Sequence, residues 1–191
     1  MLPDTIETKR LLLRPYQLDD VEGILAYASD GEWARYLPVV PNPYKRRDAE
    51  AFVARQVLLD RAVHPSWAIT LEGSNVGGIN LRFSFEHAVG EMGWSLAREL
   101  WNRGFMTEAA HAVMDVAFST YSSLSRIRAM ADARNRASHR VMEKLGMTHE
   151  GTLRQNRLVK GELIDEAWFG ILRPECKRSF SGVLFSATSG S

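Results

Sequence analysis

The stretch GEMGWSLARELWNRGFMTEAA, residues 90–110, obliges a strand to run through a short turn straight into a helix. Met92, Trp94 and Leu96 alternate with small or polar residues, the pattern of a strand with one buried face. From Phe105 the period changes, and Met106, Ala109, Ala110, Val113, Met114, Ala117 and Phe118 follow the i, i+3, i+4, i+7 spacing of a helix buried along one side. The first N–H groups of such a helix have no partner within it and carry the positive end of its dipole. Phosphate oxygens can therefore rest against residues 102–107. Gly104 permits close approach of the backbone and Arg103 adds a cation, although an ordinary strand-to-helix turn can hold the same pair.

The rest of the chain supplies elements to pack around this junction. Residues 8–16, TKRLLLRPY, read as an opening strand. A helix follows, with Leu18, Val21, Leu25 and Ala28 on its apolar face and Asp19, Asp20 and Glu22 at its start. Residues 33–44 contain three prolines and are irregular. A second helix starts at about Asp48 with a stripe of Ala49, Phe52, Val53 and Val57. Strand patterns come next at Trp67, Ile69 and Leu71, then at Ile79, Leu81, Phe83 and Phe85, and then in the stretch already described. After the long helix lie a strand at residues 126–131 and a helix capped by Asn135, whose inner face is Val141, Met142 and Leu145. Two strands at residues 148–158 and 163–172 turn at Lys160 and Gly161. The order β, α, α, β, β, β, α, β, α, β, β describes an α+β fold, a mixed sheet flanked by helices, filling one domain over residues 1–178. Residues 179–191 mix small polar and apolar residues and read as a partly ordered tail.

Composition removes several function classes. The 24 Lys and Arg balance 23 Asp and Glu, so a net charge of +1 gives no global attraction to nucleic acid or a membrane, and any anion site must be local. No apolar run is long enough to cross a bilayer, and the opening residues lack a secretory pattern, which leads us to expect a cytoplasmic protein. Cys176 is the only cysteine, so neither a disulfide framework nor a multi-cysteine metal site can form. The five histidines are scattered without metal-ligand spacing, and we expect no metal.

Residues 101–109, WNRGFMTEA, resemble the pyrophosphate loop of the GNAT superfamily, Q/R-x-x-G-x-G/A, in the RimJ/RimL-type form W-G-x-G-Y/I-M/A-T/S-E-A. Trp101 takes the first position, Gly104 that of the central glycine and Met106 that of the last small residue. Asn102 replaces the commoner glycine and is the next best residue for positive φ. A second stretch, NRASHRVMEKLGM at residues 135–147, resembles N-x-x-S-x-x-V/L-x-x-K-L-G-F of the same family, and the likeness runs from residue 8 to residue 175. It implies a GNAT fold, a mostly antiparallel twisted sheet in which one strand pair splays apart to admit the pantetheine arm of acetyl-CoA.

Carried onto this sequence, the resemblance assigns the cofactor to Trp94, Ser95, Leu96, Asn102, Arg103, Gly104, Phe105, Met106, Thr107, Asn135 and Arg140. The backbone of residues 94–96 would bond the pantetheine amides as an added strand does. Where many members carry a tyrosine acid, this chain has Met142. Ser138, one helical turn earlier, is the substitute in RimL-like relatives, either as proton donor or as a hydrogen-bond partner of the sulfur. Glu91, at the head of the splayed strand, is the implied base. An α-amino group with pKa about 7.7–8 is partly neutral near pH 7, whereas lysine at about 10.4 is not, so a weak base suits an N-terminus. Glu108 steadies the helix start through the dipole. Residues 33–44 and 154–160 are expected to select the acceptor, with Trp33, Tyr36 and Tyr44 either lining a pocket or packing a helix onto the sheet. The resemblance thus implies an acetyl-CoA-dependent N-acetyltransferase for a protein N-terminus of the ribosomal-protein type. A small-amine acetyltransferase and a non-catalytic acyl-CoA-binding module are the alternatives, and a homodimer fits the family.

Overall fold

The computed structural model describes residues 1–176 and the strand Leu184–Ser186. In chain order the elements are β1 (Thr5–Glu7), β2 (Leu12–Arg14), α1 (Asp20–Ala28), α2 (Arg46–Leu58), β3 (Ser66–Leu71), β4 (Ser74–Ser84), β5 (Val89–Leu96), α3 (Phe105–Thr120), β6 (Arg126–Asp132), α4 (Arg136–Lys144), β7 (Thr148–Val159), β8 (Glu162–Leu172) and β9 (Leu184–Ser186). The strands form one sheet in the order β7-β8-β6-β5-β4-β3-β2-β1-β9. Among the described strands only β5 and β6 are parallel neighbours. Apart from β9, the tail expected at residues 179–191 lies outside the described residues.

The opening strand requires a correction. Residues 8–16 do not form one strand, because Thr8 turns the chain. Its N–H donates to the Leu11 carbonyl at 2.9 Å, and the Leu11 N–H donates back to its hydroxyl at 3.0 Å. The result is an antiparallel hairpin of β1 and β2 with Ile6 opposite Leu13. A second correction concerns α1. Leu18 precedes the helix and is 73% exposed, while Ile24 and Ala28 are buried. Asp20 is buried too, because Arg14 donates to both its carboxylate oxygens, at 2.9 and 2.7 Å. In α2, Ala49 and Val53 are fully buried as the stripe predicts, while Val57 at the end is half exposed.

Strand alternation sends one side chain to each face in turn, and two cores result. Trp67, Ile69, Ile79, Leu81, Met92, Ile127 and Phe169 pack against the apolar faces of α3 and α4. Ala68 and Tyr16 pack on the other face with Ile24, Ala28, Ala49 and Val53 of α1 and α2. Residues 33–44 form neither helix nor strand. Trp33 is nevertheless buried there, 5.1 Å from the ring of Tyr27 and 6.4 Å from that of Tyr44.

The sheet opens at one place. β5 pairs with β4 along its whole length, from Val89 opposite Ser84 to Leu96 opposite Gly77. Its pairing with β6 covers only Val89, Gly90 and Glu91. Beyond Glu91 the two strands part, since β5 must lead into α3 while β6 stays with β8 from Arg126 to Asp132.

Candidate active site

The parted strands border a cleft of about 390 Å³. It is lined by Trp94, Ser95 and Leu96 from β5, by Asn102, Gly104, Phe105, Met106 and Thr107 from the turn and α3, and by Asn135, Ser138 and Arg140 at the start of α4. Eleven of the thirteen residues assigned from the sequence therefore share one surface, and Arg103 and Glu91 are the two that do not.

The turn has the conformation that its residues favour. A 3₁₀ turn at Arg98–Leu100 leads to Trp101, then Asn102 at φ 59° and Gly104 at φ 81°, both left-handed. Asparagine tolerates that region and glycine enters it freely, so this is where side-chain chemistry fixes the backbone. No side chain caps α3, and its first inward bond runs from the Glu108 N–H to the Gly104 carbonyl at 3.0 Å. The N–H groups of Phe105, Met106 and Thr107 precede that bond and have no helical acceptor. The Phe105 and Met106 side chains belong to the core. One group expected to be open is taken, because the Leu96 carbonyl accepts the Trp101 indole N–H at 2.7 Å. Arg103 also departs from expectation, since its guanidinium lies over the Phe105 ring, 5.3 Å from the centroid. The cations that do border the cleft are Arg35, Arg134, Arg136, Arg140 and Lys144, of which the sequence had pointed to Arg140 alone.

Across the cleft, Asn135 caps α4 by accepting the Ser138 N–H at 3.2 Å. Ser138 thereby sits in the first turn, half-buried and on the cleft wall. Met142, at the position where the resemblance would place a tyrosine acid, is fully buried in the core. Arg140 donates to the Asn102 side-chain oxygen at 2.9 Å and ties α4 to the turn. Glu108 is held by the β1–β2 hairpin, accepting from the Thr8 hydroxyl at 2.7 Å and from Arg10 Nε at 2.7 Å. Burial pushes its carboxyl up, but the bonds from Thr8 and Arg10 outweigh burial and leave it below the usual carboxylate range.

Glu91 stands apart from these residues. It lies at the last paired position before the strands part and is absent from the cleft wall. Arg82 holds one of its carboxylate oxygens and Arg128 Nη2 the other, the latter at 2.9 Å. Strand register sets this cluster, with Arg82 opposite Glu91 on β4 and Arg128 opposite it on β6. No local pattern in the sequence reveals it. Of the segments expected to select the acceptor, residues 33–44 line the cleft through Trp33, Arg35, Tyr36 and Leu37. The β7–β8 turn reaches them, since Lys160 donates to the Ala34 carbonyl at 2.6 Å. The two segments expected to select the acceptor thus meet, although residues 154–160 do not themselves line the cleft.

The family profile described as acetyltransferase (GNAT) domain matches residues 10–148, well over half of the chain. The chain belongs to the GNAT acetyltransferases. It is 32% identical over 170 residues to an uncharacterized N-acetyltransferase, YnaD, of Bacillus subtilis (strain 168), covering 89% of this chain and 98% of that one. A crystal structure of a GNAT-family acetyltransferase from Bacillus anthracis superposes with TM-score 0.79 at 30% identity, over 90% of this chain and 99% of that one. The spermidine N(1)-acetyltransferase of Escherichia coli (strain K12) is 25% identical over 155 residues, 78% of this chain and 79% of that enzyme. RimL, a ribosomal L7/L12 alpha-N-protein acetyltransferase in complex with coenzyme A, shares the fold with TM-score 0.76 at 17% identity, over 86% of this chain and 95% of RimL. As a GNAT acetyltransferase this chain is an N-acetyltransferase, and its mostly antiparallel sheet flanked by helices has the fold of its structural neighbours. No described helix is long and apolar enough to cross a membrane, and no cluster of metal-ligating side chains occurs among the described residues.

Proposed function

We propose that the protein transfers acetyl from acetyl-CoA directly to an N-terminal α-amino group of a protein, of the ribosomal-protein type. The observation that carries the donor half is the turn at residues 102–107. Two left-handed residues, three N–H groups without helical acceptors and the neighbouring cations Arg136, Arg140 and Lys144 make an anion cradle beside an open strand edge. Residues 94–96 and Asn135 would hold the pantetheine arm. When bound, acetyl-CoA supplies a thioester whose acyl carbon accepts the amine. The C–N bond forms as the C–S bond breaks, the amine gives its proton to solvent, and Ser138 hydrogen-bonds or protonates the departing sulfur. Glu91, tied to Arg82 and Arg128 at the splay point, would take up the amine proton through that solvent water. An α-amine with pKa about 7.7–8 needs little base, and the fold likeness to RimL supports the same acceptor.

A second reading is a small amine, favoured by the likeness to spermidine N(1)-acetyltransferase and by Glu32 at the cleft wall, which would attract a cation. Steady-state rates on Ala- and Ser-started peptides and on polyamines separate the two readings. Peptide turnover at least tenfold above polyamine turnover is the expected result, and activity confined to polyamines rejects the proposal.

A further inference from the structure

Arg10 sits far from the cleft in sequence, in the β1–β2 turn, yet it grips the donor loop at several points. Its backbone N–H donates to Glu108 Oε1 at 2.9 Å and its Nε to Oε2 at 2.7 Å. Its Nη1 donates to the Arg103 carbonyl at 3.1 Å. Its guanidinium carbon lies 4.0 Å from the Phe105 ring centroid, and Nη2 lies 3.5 Å from where a Cβ on Gly104 would stand. The Thr8 hydroxyl completes the hold on Glu108. An ion pair with Glu108 alone would steady α3. The contact with Arg103 does something else.

In a planar trans peptide the C=O and N–H point in opposite directions. Holding the Arg103 carbonyl toward Arg10 therefore turns the Gly104 N–H away from Arg10, and Gly104 is a residue of the cleft wall. The same side chain thus sets the peptide before the helix, the ring at its first residue and the carboxylate in its first turn. Left-handed backbone at Asn102 and Gly104, with no side-chain cap on α3, leaves the loop dependent on such outside support. We propose that Arg10 is a positioning residue for the diphosphate of the acyl donor, presetting the N–H groups of residues 104–107 from behind the loop. This rests on the reading that residues 102–107 hold that diphosphate.

Calorimetric binding of coenzyme A and of pantetheine, which lacks the diphosphate, tests both statements separately. The wild type should bind coenzyme A far more tightly than pantetheine, and equal affinities would reject the diphosphate site itself. In Arg10→Met the Kd for coenzyme A should rise roughly ten- to a hundredfold, because misplaced donors lose most of an oriented interaction, while pantetheine binding stays within about twofold. Arg10→Lys keeps the charge but cannot span Glu108 and the Arg103 carbonyl together, so its coenzyme A affinity should fall between the other two. A coenzyme A Kd unchanged in Arg10→Met overturns the proposal, as does an equal loss for both ligands in Arg10→Lys, which would mark a merely structural residue.

Discussion

Ser138 and Asn102 show how single residues divide the work of the cleft. Ser138 is half-buried on the wall, with its backbone fixed by Asn135, and its hydroxyl is the group we propose as partner of the departing thiolate. Ser138→Ala should lower kcat roughly a hundredfold with the KM for acetyl-CoA little changed, and a loss below about threefold would remove Ser138 as the donor. Asn102 combines a left-handed backbone at φ 59° with a side chain that receives Arg140. Asn102→Gly keeps the backbone and loses the tie, whereas Asn102→Ala loses the tie and strains the backbone. The alanine variant should bind coenzyme A more weakly than the glycine variant, and the reverse order would show that the left-handed turn is not required. The sequence pointed to Asn102 because φ preference belongs to the residue itself. It could not reveal the partners of Glu91, because Arg82 and Arg128 reach that carboxylate only through the pairing of three strands.

At the scale of elements, the second core depends on how α1 lies on the sheet, and the cleft on where β5 leaves it. Gly23 marks the closest approach of α1 to β4, since a Cβ there would stand 2.8 Å from the Asn75 backbone oxygen. Backbone cannot yield as a flexible side chain can. Gly23→Ala gains up to about 1 kcal/mol of helix propensity, while overpacking against backbone costs about 1–3 kcal/mol. Net destabilisation in urea unfolding is expected, and a more stable variant would show that α1 sits farther from β4. Helix and strand periods made most elements legible, including the long α3. The β1–β2 hairpin was not legible, because Leu11, Leu12 and Leu13 read as the middle of one strand while the turn is closed by the Thr8 hydroxyl. Leu18 misled for a related reason, in that its spacing fits the helix but the chain enters α1 only at Asp20.

For the molecule as a whole, three carboxylates link both faces of the sheet to acid stability. Burial raises Asp20, Glu108 and Asp132, but their arginine partners and hydrogen bonds outweigh it and leave each below its ordinary pKa. In the unfolded chain such groups titrate at about 3.9–4.3. Their contribution is fully present above that range and is lost as pH falls through the lower folded values, because the unfolded chain then binds more protons. The carboxylate contribution to the unfolding free energy should stay level from about pH 7 to 5 and decline below about pH 4, while His139, whose pKa burial lowers, adds a loss that sets in as pH falls below about 6.5. Asp20→Asn leaves Arg14 without its partner beneath α1 and should cost about 3 kcal/mol at pH 7, a deficit that shrinks as the wild type is itself protonated. A pH-independent deficit would mean that packing, not charge, is what Asp20 supplies. The sequence by itself determined what depends on neighbours along the chain. It set the strand-to-helix junction, the left-handed turn, the cap at Asn135 and the family likeness, because φ preference, periodicity and capping act over a few residues. Only the tertiary structure decided which charges are free and which are tied. Arg10 behind the donor loop, Arg140 on Asn102, two arginines on Glu91 and Lys160 on Ala34 all join residues far apart in sequence, and such contacts exist only once the sheet has set its register.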